Sequence, residues 1–367
     1  MKLTLERNVL LKGLSHVQSV VERRNTIPIL SNVLLGGEDG RLTLVATDLD
    51  IEVSETVDAG VDAPGQVTAP AHTLYDIVRK LPDGAQVRIM ISDKGQLDVD
   101  AGPAHFTLPL LPSGDFPKMS ADGLDTEFTL PASDLARLID KTRFAISTEE
   151  TRYYLNGIYL HARDGLLRAV ATDGHRLALA EQPLPPGADG MPGVIVPRKT
   201  IQELRKLVDG ADGDVTVAVS DAKIQFTTGT VVLTSKLIDG TFPDYERVIP
   251  RNNTKELVLD NKVFASAVDR VATISAEKSR SVKLSLEQSN LALSVNNPES
   301  GQAREDLPVN YDADALEIGF NAKYLMDVAG QIEGQDATFM LESASSPALV
   351  TDSEDEHALF VLMPLRV

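Results

Sequence analysis

LTLVATDLDIEVSE (Leu42–Glu55), LLRAVATDGHRLALAE (Leu166–Glu181) and LALSVNNPESGQARED (Leu291–Asp306) can be laid over one another. Each reads as an apolar strand, a polar corner and a second strand, with Val, Ile, Leu and Thr alternating against polar residues as half-buried antiparallel strands require. The likeness continues outward in order. A strand and a helix precede each corner, beginning at Leu3, Glu127 and Glu256, and a helix and a strand follow it, beginning at Ala69, Val196 and Gly319. Two further strands close each unit. One plan is therefore written three times with a period of about 125 residues, too long for a solenoid repeat and the right size for a domain.

The fold class this predicts is α+β, with two helices and many antiparallel strands per unit. Polar, turn-rich joints at Ser120–Glu127 and Pro250–Glu256 divide the chain into domains 1–122, 123–251 and 252–367. Apolar residues at helical spacing, such as Leu135, Leu138 and Ile139, or Leu204, Leu207 and Val208, mark the helix faces that seek a core. Pro70, Pro131 and Pro197 are expected in first helical turns, where an amide has no partner to lose.

With no cysteine among 367 residues, disulfides, thiolate catalysis and Cys-ligated metals are excluded. Glu6 and Arg7 interrupt the first apolar run, so no secretory leader is expected; neither is a membrane span, and the location expected is cytoplasmic. The formal charge of -19 argues superficially against nucleic acid, but charge is unevenly distributed. The six predicted helices (7–24, 70–82, 131–147, 197–209, 260–278 and 320–333) together carry +6, leaving -25 on the rest. A basic helix side and an acidic sheet side is one reading; that Lys and Arg are simply good helix formers is the other.

The second corner draws the eye because Thr172, Asp173, His175 and Arg176 fall within five positions. The first corner repeats the Thr-Asp pair as Thr47 and Asp48, so that pair reads as a turn device whose side chains satisfy backbone amides. Catalysis by Asp173, His175 and Arg176 would need a nucleophile and an orienting group that no motif supplies, and the six histidines lie at no metal-ligand spacing. No catalytic residue, metal or cofactor is expected. What marks the second corner alone is Gly174, His175, Arg176 and Leu177.

TRYYLNGIYL (Thr151–Leu160), VATDGHRLA (Val170–Ala178), VIVPRK (Val194–Lys199), LTSKLIDGTFPDYERVIP (Leu233–Pro250) and the terminal VLMPLRV, on the threefold plan, closely resemble the bacterial replicative sliding clamp, the beta subunit of DNA polymerase III. The resemblance spans the chain. It implies a head-to-tail homodimeric ring, sheets outside and helices lining a hole for duplex DNA, held without reading sequence. It implies DNA contacts at Arg24, Tyr153 and Tyr154, to which charge adds Arg79, Arg137, Lys141, Arg198 and Lys199. The basic pair of some relatives is here His72 and Thr73.

The resemblance also implies a groove for short linear peptides of the polymerase III catalytic subunit, the clamp loader, other polymerases and repair proteins. Its matching positions are Leu155, Thr172, Gly174, His175, Arg176, Leu177, Pro243, Arg247 and Val248, with Ser346, Val361, Met363, Pro364, Leu365 and Arg366. Leu, Val, Met and Pro make an adaptable apolar floor, and His175 and Arg176 are expected at the rim as hydrogen-bonding groups that set peptide register. Val367 is expected to tune which peptides bind. Ring closure is expected to join Phe106 and Leu108 to the region of Ile274, although Gly102 and Pro103 stand where some relatives carry charge. A three-domain scaffold for protein partners is the alternative outside DNA binding.

Overall fold

A computed structural model describes residues 1–120, 122–275 and 280–366. Its helices are α1 (Arg7–Gln18), α2 (Ala71–Lys80), α3 (Ala132–Thr142), α4 (Arg198–Leu207), α5 (Asn261–Ala272) and α6 (Ala322–Ala329), two to each repeat. The apolar spacing chooses the buried face: Leu10, Leu14 and Val17 on α1, Leu74 and Val78 on α2, Phe264, Val268 and Val271 on α5. Side chains cap the starts of three of them, where Glu6, Asp260 and Asn321 accept from the amides of Val9, Val263 and Lys323.

Two details differ from the sequence reading. Pro70, Pro131 and Pro197 are the last residues of strands and immediately precede their helices. Here a missing amide also costs the helix nothing. Helix α1 stops at Gln18 rather than continuing to Arg24, and α3 gives way at Arg143–Ala145 to a tighter 3-10 turn.

The chain forms two compact units, each with a pair of sheets. The first comprises residues 1–135, 185–192 and 199–237. It holds a five-stranded sheet ending in Ala104–Leu108, and an eight-stranded sheet in which Val231–Lys236 pairs antiparallel with Ile51–Asp58. The second comprises residues 136–184, 193–198 and 238–367. Its nine-stranded sheet pairs Ala358–Leu362 with Arg176–Pro183, and its four-stranded sheet ends in Gly301–Pro308. In both large sheets the last strand of one repeat hydrogen-bonds to the strand that follows the previous repeat's corner. The compact units therefore do not coincide with the sequence repeats.

The first two corners are built alike. Thr47 Oγ1 donates to the Ile51 carbonyl (2.8 Å) and accepts from Leu49 N (3.0 Å), while Asp48 Oδ1 accepts from Asp50 N and Ile51 N (2.9 and 2.8 Å). Thr172 and Asp173 make the same four bonds at 2.6, 3.1, 2.9 and 3.0 Å. The Thr-Asp pair is a turn device at both places. In the third repeat Asn297 Oδ1 alone takes the corner amides, those of Glu299 and Ser300.

Gly157 opens the strand Gly157–Arg163 opposite Pro197, and a Cβ there would press on the Val196 carbonyl, well inside van der Waals contact. Backbone cannot yield as a side-chain tip does. Gly157→Ala is expected to lower stability by about 2 kcal/mol or more, read as a fall in urea midpoint, because the strand pair must part to admit the methyl.

Candidate functional site

The second corner sits on a buried apolar cluster of Leu155, Val170, Leu177, Leu179, Ile195, Phe242, Tyr245 and Val361, all within the second unit. Strand pairing sets Leu177 opposite Val361 and Arg176 opposite Leu362, and the chain past that strand continues the ladder as Met363 N donates to the His175 carbonyl (2.9 Å). Leu365 N donates to the Gly319 carbonyl (2.8 Å), fixing the terminal segment against the strand Leu316–Asn321. Leu155, Thr172, Leu177 and Val361 are buried beneath this surface, whereas Gly174, His175, Pro243, Arg247, Met363 and Arg366 are exposed. Pro364 and Leu365 are half-buried. Val248 and Met363 stand 48% and 39% exposed, unusual for large apolar side chains. Ser346 and Arg247 share an open cleft of about 630 Å³ with Pro347 and Asn253. Val367 lies outside the described residues.

Gly174 has φ +87°, the left-handed region that favours glycine, and a Cβ there would press on the Arg152 guanidinium, which lies over the corner. Arg176 departs from expectation. It is not a rim group: its side chain is 7% exposed and turned inward. Its guanidinium donates to Asp173 (3.1 Å), to Asp327 on α6 and to the Phe144 carbonyl (2.6 Å), and lies over the rings of Tyr324 and Phe144 at 4.3 and 5.1 Å. Every donor edge of its planar fork that the corner needs is engaged, so what it offers is attachment of the corner to α6. His175 is the exposed neighbour, its ring stacked near Tyr324 at 6.5 Å.

Behind the floor runs an aromatic stack. Tyr159 lies between Phe242 (4.9 Å, 6°) and His161 (4.6 Å, 26°), and His161 Nε2 is 3.0 Å from the Tyr245 hydroxyl. Burial first, then the positive charges of Arg168 and Arg163, lower the His161 pKa to about 4. The imidazole is therefore neutral at pH 7. Sequence reasoning missed His161, Tyr245 and Tyr324, although Tyr245 lies inside the quoted stretch LTSKLIDGTFPDYERVIP.

The candidate DNA contacts divide by environment. Arg24, Tyr153 and Arg198 are exposed, Tyr153 at 53% with its ring edge-on to half-buried Tyr154. Arg79 is exposed and shared with Asp76 (3.1 Å). Lys141 is a correction: 3% exposed, it donates to the Gln331 carbonyl (2.5 Å) and pairs with Glu333 and Asp355. Arg137 forks onto both oxygens of Asp355 (2.6 and 2.8 Å). Burial would raise the Asp355 carboxyl, but hydrogen bonds from Arg137 and the His357 amide, with the charges of Arg137 and Lys141, hold it below the ordinary range. Lys199 is bound to Asp48 and Glu22. At the first unit's sheet edge Phe106 is half-buried and Leu108 is 7% exposed, so Leu108 faces its own core; Ile274 is half-buried. Among the described residues no His, Cys, Asp and Glu cluster could hold a metal ion, and no helix is long and apolar enough to cross a membrane.

A threefold α+β plan, sheets continuing from one repeat into the next, and a corner set over an apolar cluster define a three-repeat α+β protein. The chain matches in order the N-terminal, central and C-terminal domain models of the DNA polymerase III beta subunit, at residues 1–120, 129–244 and 246–366. It is 61% identical to the beta sliding clamp of Caulobacter vibrioides over 372 residues and 39% identical to that of Escherichia coli K12 over 370, with 100% of both chains covered in each case. Among solved structures it resembles the Caulobacter crescentus polymerase III beta subunit (TM-score 0.96, 60% identity) and the Bartonella birtlesii sliding clamp bound to griselimycin (TM-score 0.98, 51% identity), again over 100% of each chain. The chain belongs to the DNA polymerase III beta-subunit family, whose members are non-catalytic sliding clamps of replication.

Two predictions follow from the geometry. Because the folded state holds His161 at about 4 against 6.5 unfolded, the unfolded chain binds the extra proton between those values. Stability is then full above about pH 6.5 and falls as pH drops toward 4, by on the order of 3 kcal/mol from this residue. His161→Phe should flatten that part of the wild-type urea-midpoint profile. Arg176→Ala is expected to lose about 3 kcal/mol, since it strands the Asp173 and Asp327 carboxylates; Arg176→Lys, charged but without the fork, should fall between. Chemical denaturation reads both.

Proposed function

We propose that this chain is a replicative processivity clamp of three domains, 1–122, 123–251 and 252–367, acting in the cytoplasm. Two copies would close head to tail around double-stranded DNA, and peptides of the polymerase III catalytic subunit, the clamp loader, other polymerases and repair proteins would dock at the second corner. The observation that carries the dimer is backbone chemistry. At both internal junctions a repeat's last strand pairs with the strand after the preceding corner. The corresponding strands Ala104–Leu108 and Gly301–Pro308 are each the outer strand of a sheet. Each edge has the unpaired backbone groups the other needs, and a second copy supplies the missing partner. Phe106 and Ile274 would flank that joint.

For DNA the reading favours Arg24, Arg79, Arg198, Tyr153 and Tyr154, with Lys199 in a lesser part; Arg137 and Lys141 act as internal ties. For peptide it favours Gly174, His175, Pro243, Arg247, Val248, Ser346, Met363, Pro364, Leu365 and Arg366 in direct contact, over a floor of Leu155, Thr172, Leu177 and Val361. Weak phosphate contacts suit a ring that holds by topology and slides.

Loading onto a nicked circular plasmid followed by linearisation tests the reading. Protein is expected to stay on the circle and to leave the cut ends; loss from neither, or from both, would overturn it. The paired change Val248→Asp with Met363→Asp should leave retention on the circle intact while weakening capture of a polymerase peptide by about a hundredfold, the scale of a lost interface anchor.

A further inference from the structure

Pro243, Arg247 and Val248 belong to a wall with little regular structure of its own. It carries one 3-10 turn, Tyr245–Val248, which has no side-chain cap. Side chains hold this turn to the sheet. Tyr245 is 5% exposed in the apolar cluster, and its neighbour Glu246 receives Arg168 Nη1 at 3.2 Å. The same guanidinium donates through Nε to Glu181 on the strand Arg176–Pro183 (2.8 Å), and it lines one cavity with Tyr245. Arg168 is 15% exposed and stands in the strand Leu166–Thr172, between Gly157–Arg163 and Arg176–Pro183, facing a cavity of about 320 Å³ that also meets Tyr245, Glu246 and His357.

We propose that Arg168 is a positioning residue for peptide capture, holding the Pro243–Val248 wall at a fixed distance from the floor strand that carries Leu177. The inference rests on the groove reading above. A planar group whose Nε and Nη1 donate in fixed, diverging directions can join a floor carboxylate and a wall carboxylate at once at a set spacing, which the point charge of a lysine cannot. Arg163 also reaches Glu246, at 2.9 Å, but it is 53% exposed and water screens it. Arg168 touches no peptide; it acts through the wall.

The test uses the intact protein and a fluorescein-labelled peptide from the polymerase III catalytic subunit, with dissociation followed by stopped flow. Arg168→Gln is expected to raise Kd about tenfold, through faster release, as for groups coupled in one network; Arg168→Lys should recover part of the loss. In a Pro243→Ala, Val248→Ala background, where the wall no longer grips, Arg168→Gln should have little further effect. A merely structural role would lower stability alike in both backgrounds and leave that non-additivity absent. Equal losses in the two backgrounds, or an unchanged release rate, would overturn the proposal. Glu246→Gln, which cuts the same tie from the wall side, carries the test if Arg168→Gln does not fold. Failure of the wild type to bind the peptide would instead sink the groove reading itself.

Discussion

The structure depends on one antiparallel pairing used twice: the last strand of a repeat against the strand that follows the corner before it. Backbone amides in a buried sheet must find partners, and a single repeat cannot satisfy its own edge. Val231–Lys236 completes the sheet of the first corner, and Ala358–Leu362 that of the second. Register is held by apolar pairs, Leu233 opposite Val53 and Val361 opposite Leu177. A slip of one residue would turn each from core to solvent, which is why alternation in so plain a strand as VVLTSK specifies a junction.

Beside each junction the corner becomes a tie to the next repeat. Asp48 uses one oxygen on its own turn and the other on Lys199; Asp173 does the same with Arg176, which passes the connection to Asp327. The turns are equivalent; the ties differ, the first reaching the next repeat directly and the second through Arg176. The corners differ also in the residue at the apex. Leu49 holds φ +80° with a bulky side chain, whereas Gly174 holds φ +87° with none, and the Arg152 guanidinium lies in the space a Cβ would take there. The second corner is thus a small departure from a structural device present at two.

The repeats, the helix faces and the Thr-Asp turn were legible because each is local or periodic. Leu135, Leu138 and Ile139 are buried as their spacing requires. Leu108 was not legible as a core residue, since an edge strand's two faces look alike in sequence. Helix ends were misjudged where propensity runs past the last hydrogen bond, as in Val20–Arg24. The least legible facts were the partners of cations. Arg176 finds Asp327 151 residues away and Arg137 finds Asp355 218 residues away. Nothing in HRLALAE or DLARLIDK distinguishes a buried fork from a solvent-facing charge, because the distinction is made by the neighbour that folding brings.

That limit bears on how a chain of net charge -19 is proposed to hold DNA. Counting basic residues on helices overstates the available charge, since Lys141, Arg137 and Lys199 already face carboxylates at short range. Each phosphate contact formed releases counterions, so few free cations means modest affinity and a shallow salt dependence. For a protein gripping a site that would be a weakness. A closed ring needs no grip: its residence is set by the strength of the joints between copies, and every strong phosphate contact would only impede translation along the duplex. Internal neutralisation of these cations therefore serves the fold and the proposed function together, tying helices to neighbouring strands and turns while leaving few cations free for phosphate.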